Sequence, residues 1–485
     1  MKRLLLRCGA LAVVFGVLGC VGAAAVLQSQ GLSPRTLAPY IEKRSSGHRP
    51  LISDSGRRAG ATLDMLDRGE GPAALPALAL GARPEAAAEA VGALRLVGTV
   101  EEARRAFAEA APGDVITFAP GAYRLDQPLR ASRPGTAQAP VTVRARQGGS
   151  VTLLVAAQEG IVVQAPHWHV ENLVLRGVCR VDDHCEHAFH VVGAGSHFVA
   201  RNNTLEDFNA HLKINGSGGL FPDGGLIEGN ALANTRPRVT ANPVTPIDLV
   251  AASGWIIRAN LISDFIKAGG DRVSYGAFAK GAGEGNLFER NVVWCEQRLR
   301  GLPGQRVGLS LGGGGTGKPY CRDRQCISEQ QGGIVRDNLI ASCSDVGIYL
   351  NSAAASVVSH NTVVDTAGID VRFPASSADL DGNLVEGPIR SRNQGILRLG
   401  DNRDSPVLWS WLGRHPVRSL FRGWERGDLA WDDAPPRRAG TVARVDLCGK
   451  ARGAAPAYGA FEDFGACLAP AGAASASTSS SSRAN

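Results

Sequence analysis

A short pattern of apolar and polar positions recurs through the middle of the chain: two apolar residues, two variable residues and an asparagine, followed again by apolar residues. Its clearest copies end at Asn230, Asn260, Asn291, Asn338 and Asn361, and looser copies surround Asn172, Asn203 and Asn383. The steps between these asparagines, in chain order, are 31, 27, 30, 31, 47, 23 and 22 residues. Units of this length are too short to bury an apolar face alone, so they must stack on a common core.

The repeating units are predicted to be strands. Asparagine suits a sharp corner, because it tolerates left-handed backbone and bonds its neighbours locally, and β-branched residues flank each corner. Stacked corners would let each Asn amide bond the next along the axis. We therefore predict an all-β fold, a right-handed parallel β-helix. A β-propeller or a sandwich would need hairpins, and tight Asn-Gly or Asp-Gly turns are scarce between these runs.

The pattern divides the chain into five parts. Residues 1–30 are predicted to be a signal peptide or membrane anchor, and residues 31–95 a flexible stalk. Residues 96–402 are predicted to form the β-helix, residues 403–470 a C-terminal cap over the last rung, and residues 471–485 a disordered Ala/Ser-rich tail. An open edge of strands invites aggregation, so the N-terminal end of the β-helix needs a cover. The capping box from Thr99 to Glu102 opens an amphipathic helix that suits this role.

The first residues are typical of an export signal. Lys2 and Arg3 are basic, and the 20 residues from Cys8 to Leu27 carry no charge. Three interpretations stay open: a cleaved signal, an uncleaved anchor, and a lipoprotein signal with Cys20 as the lipidated N-terminus. All three export the body of the protein, to the periplasm, the outside or the membrane surface of a bacterium. Contact with a membrane is expected only through this segment.

Eight cysteines follow that segment, and an even number in an exported chain indicates disulfides. On the order of a hundred pairings are open to eight cysteines. Short loops and neighbouring corners favour the pairs Cys179–Cys185, Cys295–Cys343, Cys321–Cys326 and Cys448–Cys467.

A column of polar residues is predicted along one face of the rod. Side chains alternate across a strand, so a residue between apolar neighbours in the second strand of each rung points outward. The column is His190, Lys213, Asp248, Lys280, Ser310, Tyr349, Arg372 and Arg398, with His211 and Asn351 on the same strands. Rungs about 4.8 Å apart make it a strip about 30 Å long. A solvated sheet face also needs polar residues, which is the simpler interpretation.

The net charge of the chain and the cationic residues of the column predict the class of partner. The formal net charge is +7, which favours acidic partners, and no Lys/Arg run with interleaved aromatic residues indicates nucleic acid. Cationic groups beside an aromatic ring suit the carboxylates of uronic acids, which arginine binds in bidentate fashion. We therefore expect the column to be a groove for an extended acidic polysaccharide.

The first rungs resemble a known group of proteins. Residues 112 to 145, PGDVITFAPGAYRLDQPLRASRPGTAQAPVTVRA, are similar to the opening of the β-helix polysaccharide lyases and epimerases, above all polysaccharide lyase family six, the chondroitinase B and alginate lyase group. The resemblance extends more loosely to about residue 400. It implies lyase-like β-elimination or C5 epimerisation, in which a lysine after a strand is the base, an arginine about one rung later is the acid, and carboxylates before the lysine hold calcium.

Elimination requires a neutralised carboxylate, a base for the C5 proton and an acid for the leaving O4. A lysine can serve as the base where cationic neighbours or desolvation lower its pKa. The resemblance places the base at Lys280 and the acid at Arg306, with Ser310 as an alternative alignment for the acid. Tyr349 could stack on a sugar or assist the proton transfer.

The calcium ligands of that family are not matched. The corresponding positions hold Val273 and Tyr275, so we expect no metal and no other cofactor. Three arginines would neutralise the carboxylate instead: Arg272, Arg306 and Arg372.

Other patterns favour other functions less strongly. The acidic and histidine-rich run from Asp182 to His187 has the density of a metal site, although a solvated disulfide loop explains it as well. Residues 312–318 imitate a phosphate loop, but Pro319 replaces its Ser/Thr. Asp248 and Asp370 lie on separate rungs, which argues against a hydrolase with paired carboxylates. A non-catalytic β-helix that binds envelope or secreted polysaccharide is the second hypothesis.

Overall fold

The computed structural model describes residues 19, 21–69, 71, 75–83, 93–313 and 315–468. Most of them form a right-handed parallel β-helix, in which each rung contributes one strand to each of three long sheets. Along the chain, a strand of sheet 1 leads through an asparagine corner into sheet 2 and then into sheet 3. Neighbouring strands within the three sheets pair in parallel, as Val199–Arg201 does with Leu226–Glu228. The predicted fold class is confirmed.

The strands of each sheet are given in chain order. Sheet 1 contains Leu94–Val97, Val115–Phe118, Val141–Ala145, Trp168–Glu171, Val199–Arg201, Leu226–Glu228, Ile256–Arg258, Leu287–Glu289, Ile334–Arg336, Ser356–Ser359, Ser377–Asp381 and Ile396–Leu399. Sheet 2 contains Gly121–Leu125, Val151–Val155, Val174–Gly177, Thr204–Glu206, Ala231–Ala233, Leu261–Ser263, Val292–Trp294, Leu339–Ala341, Thr362–Val364, Leu384–Val385 and Arg403–Asp404. Sheet 3 contains Leu129–Ala131, Glu159–Val163, His187–Val192, Ala210–Asn215, Ile247–Val250, Val273–Lys280, Gln305–Leu311, Ile348–Asn351, Ile369–Arg372 and Ile389–Arg392.

Smaller elements surround the three sheets. Short parallel strands link sheets 3 and 1 at Gly283–Glu284, Gln330–Gln331 and Ala353–Ala354, and two antiparallel pairs follow the β-helix at Phe421–Gly423 with Asp428–Trp431 and at Thr441–Val445 with Ala451–Ala454. Residues 21–30 are helical, and the other α-helices are Pro34–Ser45, Pro50–Arg68, Val100–Ala108, Val407–Trp411 and Gly465–Leu468. Single 3-10 turns lie at Asp182–His184, Lys318–Tyr320, Arg418–Leu420 and Trp424–Arg426.

The asparagine corners form a continuous ladder inside the β-helix. The Asn260 side-chain amide donates to the Asn291 side-chain oxygen at 2.9 Å, and its own oxygen accepts from the Asn230 amide at 3.0 Å. The same contact repeats along Asn203, Asn230, Asn260, Asn291, Asn338, Asn361, Asn383 and Asn402. The interior is thus stabilised by amide hydrogen bonds at each corner as well as by apolar packing.

Two details of the predicted ladder are wrong. From Asn203 to Asn383, the left-handed residue is the one before the ladder asparagine, for example Ala259 with φ 53° and His360 with φ 53°. Asn172, with φ 58°, occupies that preceding position, and Leu173 takes the place of the ladder residue, donating its backbone N–H to the Asn203 side chain at 3.1 Å. The ladder therefore begins at Asn203 and runs one rung further than predicted, to Asn402.

The N-terminal end of the β-helix is covered as predicted. The Thr99 hydroxyl accepts from the Glu102 backbone, and the Glu102 carboxylate accepts from the Thr99 backbone, so the capping box is complete. The helix Val100–Ala108 buries Phe107 against the ring of Trp168, with ring centres 5.2 Å apart. This contact closes the apolar core at the first rungs.

The flexible stalk expected over residues 31–95 is not what the described part of that range forms. Pro34 and Pro50 stand at the first positions of two helices, where proline starts a helix instead of breaking one. These helices dock on the side of the β-helix through buried ion pairs, including Arg35 with Asp365 at 2.8 Å and Arg68 with Glu296. Because charged side chains make this contact, the sequence shows no apolar stripe at helical spacing from which the docking could be predicted.

The C-terminal segment also differs from the prediction. It packs against sheet 2 instead of lying over the last rung: the rings of Trp424 and Trp294 stack with centres 5.6 Å apart. Arg452 binds Asp337 at 2.8 Å and fixes the segment to the corner of an earlier rung. The last sheet 1 strand stays open, with Ile396 and Leu399 exposed. The segment lies on sheet 2 and not over the last rung because its aromatic side chains, Trp424 among them, pack against that sheet.

All four predicted disulfides are present: Cys179–Cys185, Cys295–Cys343, Cys321–Cys326 and Cys448–Cys467. Most of the predicted signal and the tail at 471–485 lie outside the described residues. Among the residues that the structure describes, no helix has the length and apolar character to span a membrane.

Candidate functional site

The outward face of sheet 3 carries most of the polar residues predicted for a groove. Strand pairing aligns His190, Lys213 and Asp248 in one column, as predicted. The column then continues through Phe278, Ser310, Tyr349, Asp370 and Arg390. Lys280 and Arg372 belong to the next column, two residues further along their strands: Lys280 pairs with Val250, and Arg372 pairs with Asn351. Both columns share one face, so the predicted face is right and the register at these two residues is wrong.

Arg398 does not belong to this face. It lies in the last strand of sheet 1, where its guanidinium pairs with Asp379 on the strand before. The prediction is wrong because the final rung carries its sheet 3 strand at Ile389–Arg392, a run with a weaker apolar pattern.

Three other candidates are buried. Arg306 is 1% exposed, and its guanidinium donates to the carbonyls of Gly304 and Leu302 at 2.6 and 2.5 Å, so it does not line the groove. His211 is fully buried, its Nε2–H donates to the Ala233 carbonyl at 3.1 Å, and burial lowers its pKa to about 4. Ser310 is also fully buried and donates to the Gly312 carbonyl at 2.7 Å.

The remaining candidates lie at the margins of the face. Arg272 is exposed in a left-handed turn and lines neither of the cavities described below. Asn351 is buried at the rim of a shallow depression beside Phe373. The acidic loop from Asp182 to His187 has a structural role: the Asp182 carboxylate binds Arg236 at 2.5 Å and Arg238 at 3.0 Å. The Asp182 carboxylate is therefore occupied by two arginines.

The first cavity on this face, the Lys280 cavity, has a volume of about 520 Å³. Its floor contains Lys213, Asp248 and Lys280 from three successive strands of sheet 3. The opposite side is the loop 315–324, which the Cys321–Cys326 disulfide and the turn Lys318–Tyr320 shape. The loop belongs to the longest step between ladder asparagines, the 47 residues from Asn291 to Asn338, so the irregular spacing marked its position.

The charges in the Lys280 cavity are mostly positive. Four cationic side chains line it (Lys213, Lys280, Arg322 and Arg324) against one carboxylate, that of Asp248. Lys213 binds Asp248 at 2.8 Å, and Arg322 binds Asp223 at 2.7 Å. The Lys280 ammonium instead lies 4.3 Å from the centre of the Phe278 ring, a cation–π contact. Arg322, Arg324 and the exposed Tyr320 are site residues that the repeat pattern missed, because they lie in the inserted loop.

A histidine and a carboxylate continue the face toward the N-terminal rungs. The His190 Nδ1 atom contacts the Glu159 carboxylate, and its Nε2 atom lies 2.8 Å from the Asn215 side-chain oxygen. The hydrogen bond to His190 lowers the pKa of Glu159, although burial opposes it. This pair holds Asn215 at the edge of the Lys280 cavity.

The second cavity, the Tyr349 cavity, lies further along the same face and also measures about 520 Å³. Tyr275, Tyr349 and Arg372 line it from sheet 3, and Gln30 and Thr36 line it from the N-terminal segment. Burial first, and then the charge of neighbouring groups, raises the pKa of Tyr275, and burial raises that of Tyr349. Both phenols are therefore neutral hydrogen-bonding groups at ordinary pH.

Comparison with known proteins supports the fold. A family model described as a right-handed β-helix region matches residues 160–385. The solved pectate lyase Pel9A superposes with a TM-score of 0.50 at 14% identity, over 74% of this chain and 90% of the other. An alginate lyase from Paenibacillus sp. str. FPU-7 gives 0.38 at 15% identity over 64% and 95%, and a polysaccharide lyase of the PL6 family from Pseudopedobacter saltans gives 0.38 at 14% over 64% and 92%. No curated protein sequence matches the chain. The predicted resemblance to polysaccharide lyases is thus confirmed, at the level of the fold.

Proposed function

We propose that this is an exported β-helix protein that acts on an acidic, uronate-containing polysaccharide and cleaves it by β-elimination, with Lys280 as the base. The observation that carries the proposal is the setting of Lys280. Its ammonium group lies over Phe278 in an open cavity shared with three other cationic side chains, and it forms no ion pair within the described part of the chain. A lysine in such a place is free to meet a substrate.

The other cavity residues supply the rest of the chemistry. Arg324 on the loop would neutralise the uronate carboxylate and so acidify the proton at C5, while Arg322 and Lys213, each already paired with a carboxylate (Asp223 and Asp248), add to the positive charge around it. Lys280, once its ammonium has released a proton to solvent, takes the C5 proton and returns to the ammonium form. The C4–O4 bond breaks as the C4–C5 double bond forms, and the departing oxygen takes a proton from the Tyr320 phenol or from water. Lys280 and Tyr320 both line the Lys280 cavity.

Calcium has no part in this proposal. The positions that match the carboxylates of the resembled family hold Val273 and Tyr275, which offer no carboxylate, and these residues line the Tyr349 cavity instead of the Lys280 cavity. Arginine and lysine side chains take over the neutralising role, as the sequence suggested, but Arg322 and Arg324 replace Arg272 and Arg306 in it.

Export is supported by the four disulfides, because such bonds persist in oxidising compartments. A secreted or envelope location also gives the protein access to extracellular polysaccharide. The basic and apolar first residues fit the same route.

Polysaccharide binding without cleavage is the second candidate. One observation favours it: Arg306, the residue predicted as the acid, is buried away from the Lys280 cavity and bonded to loop carbonyls. In a binding protein the same cationic side chains would hold the polymer, and Lys280 would contribute charge alone.

The decisive experiment is an assay for unsaturated uronate on alginate, on chondroitin or dermatan, and on pectate. We expect the absorbance of the unsaturated product to rise with one of these polymers. Removing a general base lowers the rate about 10²- to 10⁴-fold, so the cleavage rate of Lys280→Ala should be at least about a hundredfold lower than that of the wild type. Lys318→Ala is the matched control, because Lys318 is exposed on the loop and does not line the cavity.

Three results would revise the proposal. Equal rates for the wild type and Lys280→Ala would remove Lys280 from the reaction. Binding of a polymer with no product from any of them would establish the binding function. Uptake of solvent deuterium at C5 without unsaturated product would indicate epimerisation, which shares the proton-removal step.

A further inference from the structure

The Tyr349 cavity is built jointly by the β-helix and by the N-terminal segment. Its floor is the sheet 3 face around Tyr275, Tyr349 and Arg372, and its side wall consists of Gln30, Leu32, Arg35, Thr36 and Pro39, which we call the N-terminal wall. The cavity of about 520 Å³ falls within the range of small-molecule sites. Two separate parts of the chain are therefore needed to form this cavity, which makes it a candidate binding site.

The N-terminal wall is held firmly in place. Arg390 donates to the Gly31 carbonyl at 2.6 Å, and the Trp411 indole N–H donates to the Leu32 carbonyl at 2.9 Å. Arg35, which stands within the wall, binds the buried carboxylate of Asp365 at 2.8 Å. The wall is therefore fixed against the last rungs and keeps its distance from the floor.

Three of the four arginines around the cavity have carboxylate partners. Arg390 and Arg392 both bind Asp370, and Arg35 binds Asp67 and Asp365. These pairs fix the structure around the site.

Arg372 has no carboxylate partner within the described residues. Its Nη1 atom donates to the Tyr349 hydroxyl at 3.1 Å and its Nε atom to the Asn393 side chain at 2.9 Å. Neutral partners leave its positive charge uncompensated, and they orient the guanidinium at the floor of the cavity. An arginine in this state suits an incoming carboxylate.

Asp345, a carboxyl group that also lines the cavity, does not neutralise the charge of Arg372. Asp345 receives hydrogen bonds from the Gln305 amide at 3.2 Å and the Val346 backbone at 2.9 Å, but among the residues that the structure describes no arginine lies at ion-pair distance from it. Burial, and then the neighbouring charge of Asp370, raise the pKa of Asp345. A carboxyl group of this kind can donate a hydrogen bond to a sugar oxygen when it is protonated.

We infer that the Tyr349 cavity is a second carboxylate-binding subsite, which takes one uronate unit of the same polymer, with Arg372 on the carboxylate and Tyr275 and Tyr349 beside the sugar ring. The inference rests on the substrate class of the proposed function. Strand pairing places Lys213 five rungs from Asp370, which is about 24 Å along the axis. A bound polysaccharide would therefore lie across both cavities, with the N-terminal segment as part of its binding site.

Titration calorimetry with free D-galacturonate and D-glucuronate, and then with their short oligomers, tests this inference without relying on cleavage. Arg372→Gln removes the charge at the floor, and Thr36→Phe fills the cavity from the wall while leaving the floor intact. Each should weaken uronate binding about 10- to 100-fold, because a charge-assisted pair or the space itself is lost. The corresponding neutral sugars should bind weakly to every variant.

Arg398→Gln is the matched control, since it removes an arginine of sheet 1 that lines neither cavity. Thermal unfolding of each variant identifies any that misfold, and Tyr349→Phe, which removes only the hydroxyl, serves as a second probe of the floor. Unchanged uronate binding in Arg372→Gln and Thr36→Phe would overturn the inference, even if Lys280→Ala abolished cleavage. Loss of binding in both would support it, even if the protein cleaved no polymer.

Discussion

The guanidinium of Arg35 lies 2.8 Å from a carboxylate oxygen of Asp365, a residue 330 positions further along the chain, and both side chains are buried. Asp365 also binds Arg300 at 2.7 Å and Arg418 at 3.2 Å. One carboxylate thus joins the N-terminal helices, the β-helix and the C-terminal segment. The junction also positions the N-terminal wall of the Tyr349 cavity, so this stabilising contact bears on the site.

Replacing Asp365 by asparagine should destabilise the protein strongly. Arg300 loses its carboxylate partner, and Arg35 and Arg418 each lose one of two. Breaking a buried pair of this kind costs about 3–5 kcal/mol. Denaturant unfolding measures the loss in free energy of unfolding. Limited trypsin digestion after Lys43 or Arg44, in the last turn of the first N-terminal helix, should also become faster. The control is Asp379→Asn, whose partner Arg398 is exposed, and it should behave as the wild type; equal unfolding midpoints for both variants would contradict the account.

The same carboxylate predicts a dependence of stability on pH. Burial acts to raise the pKa of Asp365, but the positive charges of Arg300, Arg418 and the other arginines outweigh it and hold that pKa well below its ordinary value of 3.8. The unfolded chain therefore takes up the proton first, so this stabilisation is complete above about pH 4 and is lost as the pH falls further.

Unfolding midpoints of the wild type and Asp365→Asn, followed from about pH 6 down to about pH 2, provide the measurement. The gap between the two should narrow as the medium becomes more acidic. A gap that stays constant, or widens toward acid, would show that the carboxylate is not held in its charged form by the arginines.

The asparagine ladder should tolerate substitution poorly. In Asn260→Ala, the Ile227 carbonyl and the Asn230 amide lose buried partners that now lie 2.9 and 3.0 Å away. Unsatisfied buried groups should lower the free energy of unfolding by about 3 kcal/mol. Asn172→Gly, at a corner position outside the ladder with φ 58°, is the control and should cost little. A similar cost for both variants would mean that the amide ladder adds nothing beyond the corner geometry.

Asp248→Asn should strengthen the binding of acidic oligosaccharides. Asp248 neutralises Lys213 at 2.8 Å on the floor of the Lys280 cavity, so its removal frees a cationic group for the substrate. We expect the affinity for uronate oligomers to rise about three- to tenfold at low salt, and the gain to shrink as salt screens the charges. Asp271→Asn, which frees Lys267 away from both cavities, should leave affinity unchanged. A loss of affinity in Asp248→Asn would indicate that Asp248 itself contacts the sugar.

The fold could be predicted in detail because its signal is local and repeated. The spacing of asparagines revealed the rungs, the capping box at Thr99 marked the first helix, and the small cysteine loops suggested two of the disulfides. The docking of the N-terminal helices escaped prediction, because Arg35 and Arg68 reach the β-helix through carboxylates far along the chain, Asp365 and Glu296, and leave no periodic apolar pattern.

The site was predicted less completely than the fold. Side chains alternate between the two faces of a strand with a period of two residues. An error of two residues in the predicted alignment therefore leaves a side chain on the correct face but assigns it to the wrong column, as at Lys280 and Arg372. Arg322 and Arg324 lie on an inserted loop whose path over sheet 3 no repeat encodes. Arg306 was misplaced because its strand approaches the loop after sheet 2, where Leu302 and Gly304 hold the guanidinium.

The central claim is that the outward face of sheet 3 is the binding surface for an acidic polysaccharide. A crystal structure of the Lys280→Ala variant with a uronate oligosaccharide long enough to span both cavities tests it most directly. The account predicts density for the sugar along sheet 3, with one carboxylate near Lys213 and Arg322 and another at Arg372. An oligosaccharide bound on sheet 1 or sheet 2, with sheet 3 empty, would contradict it.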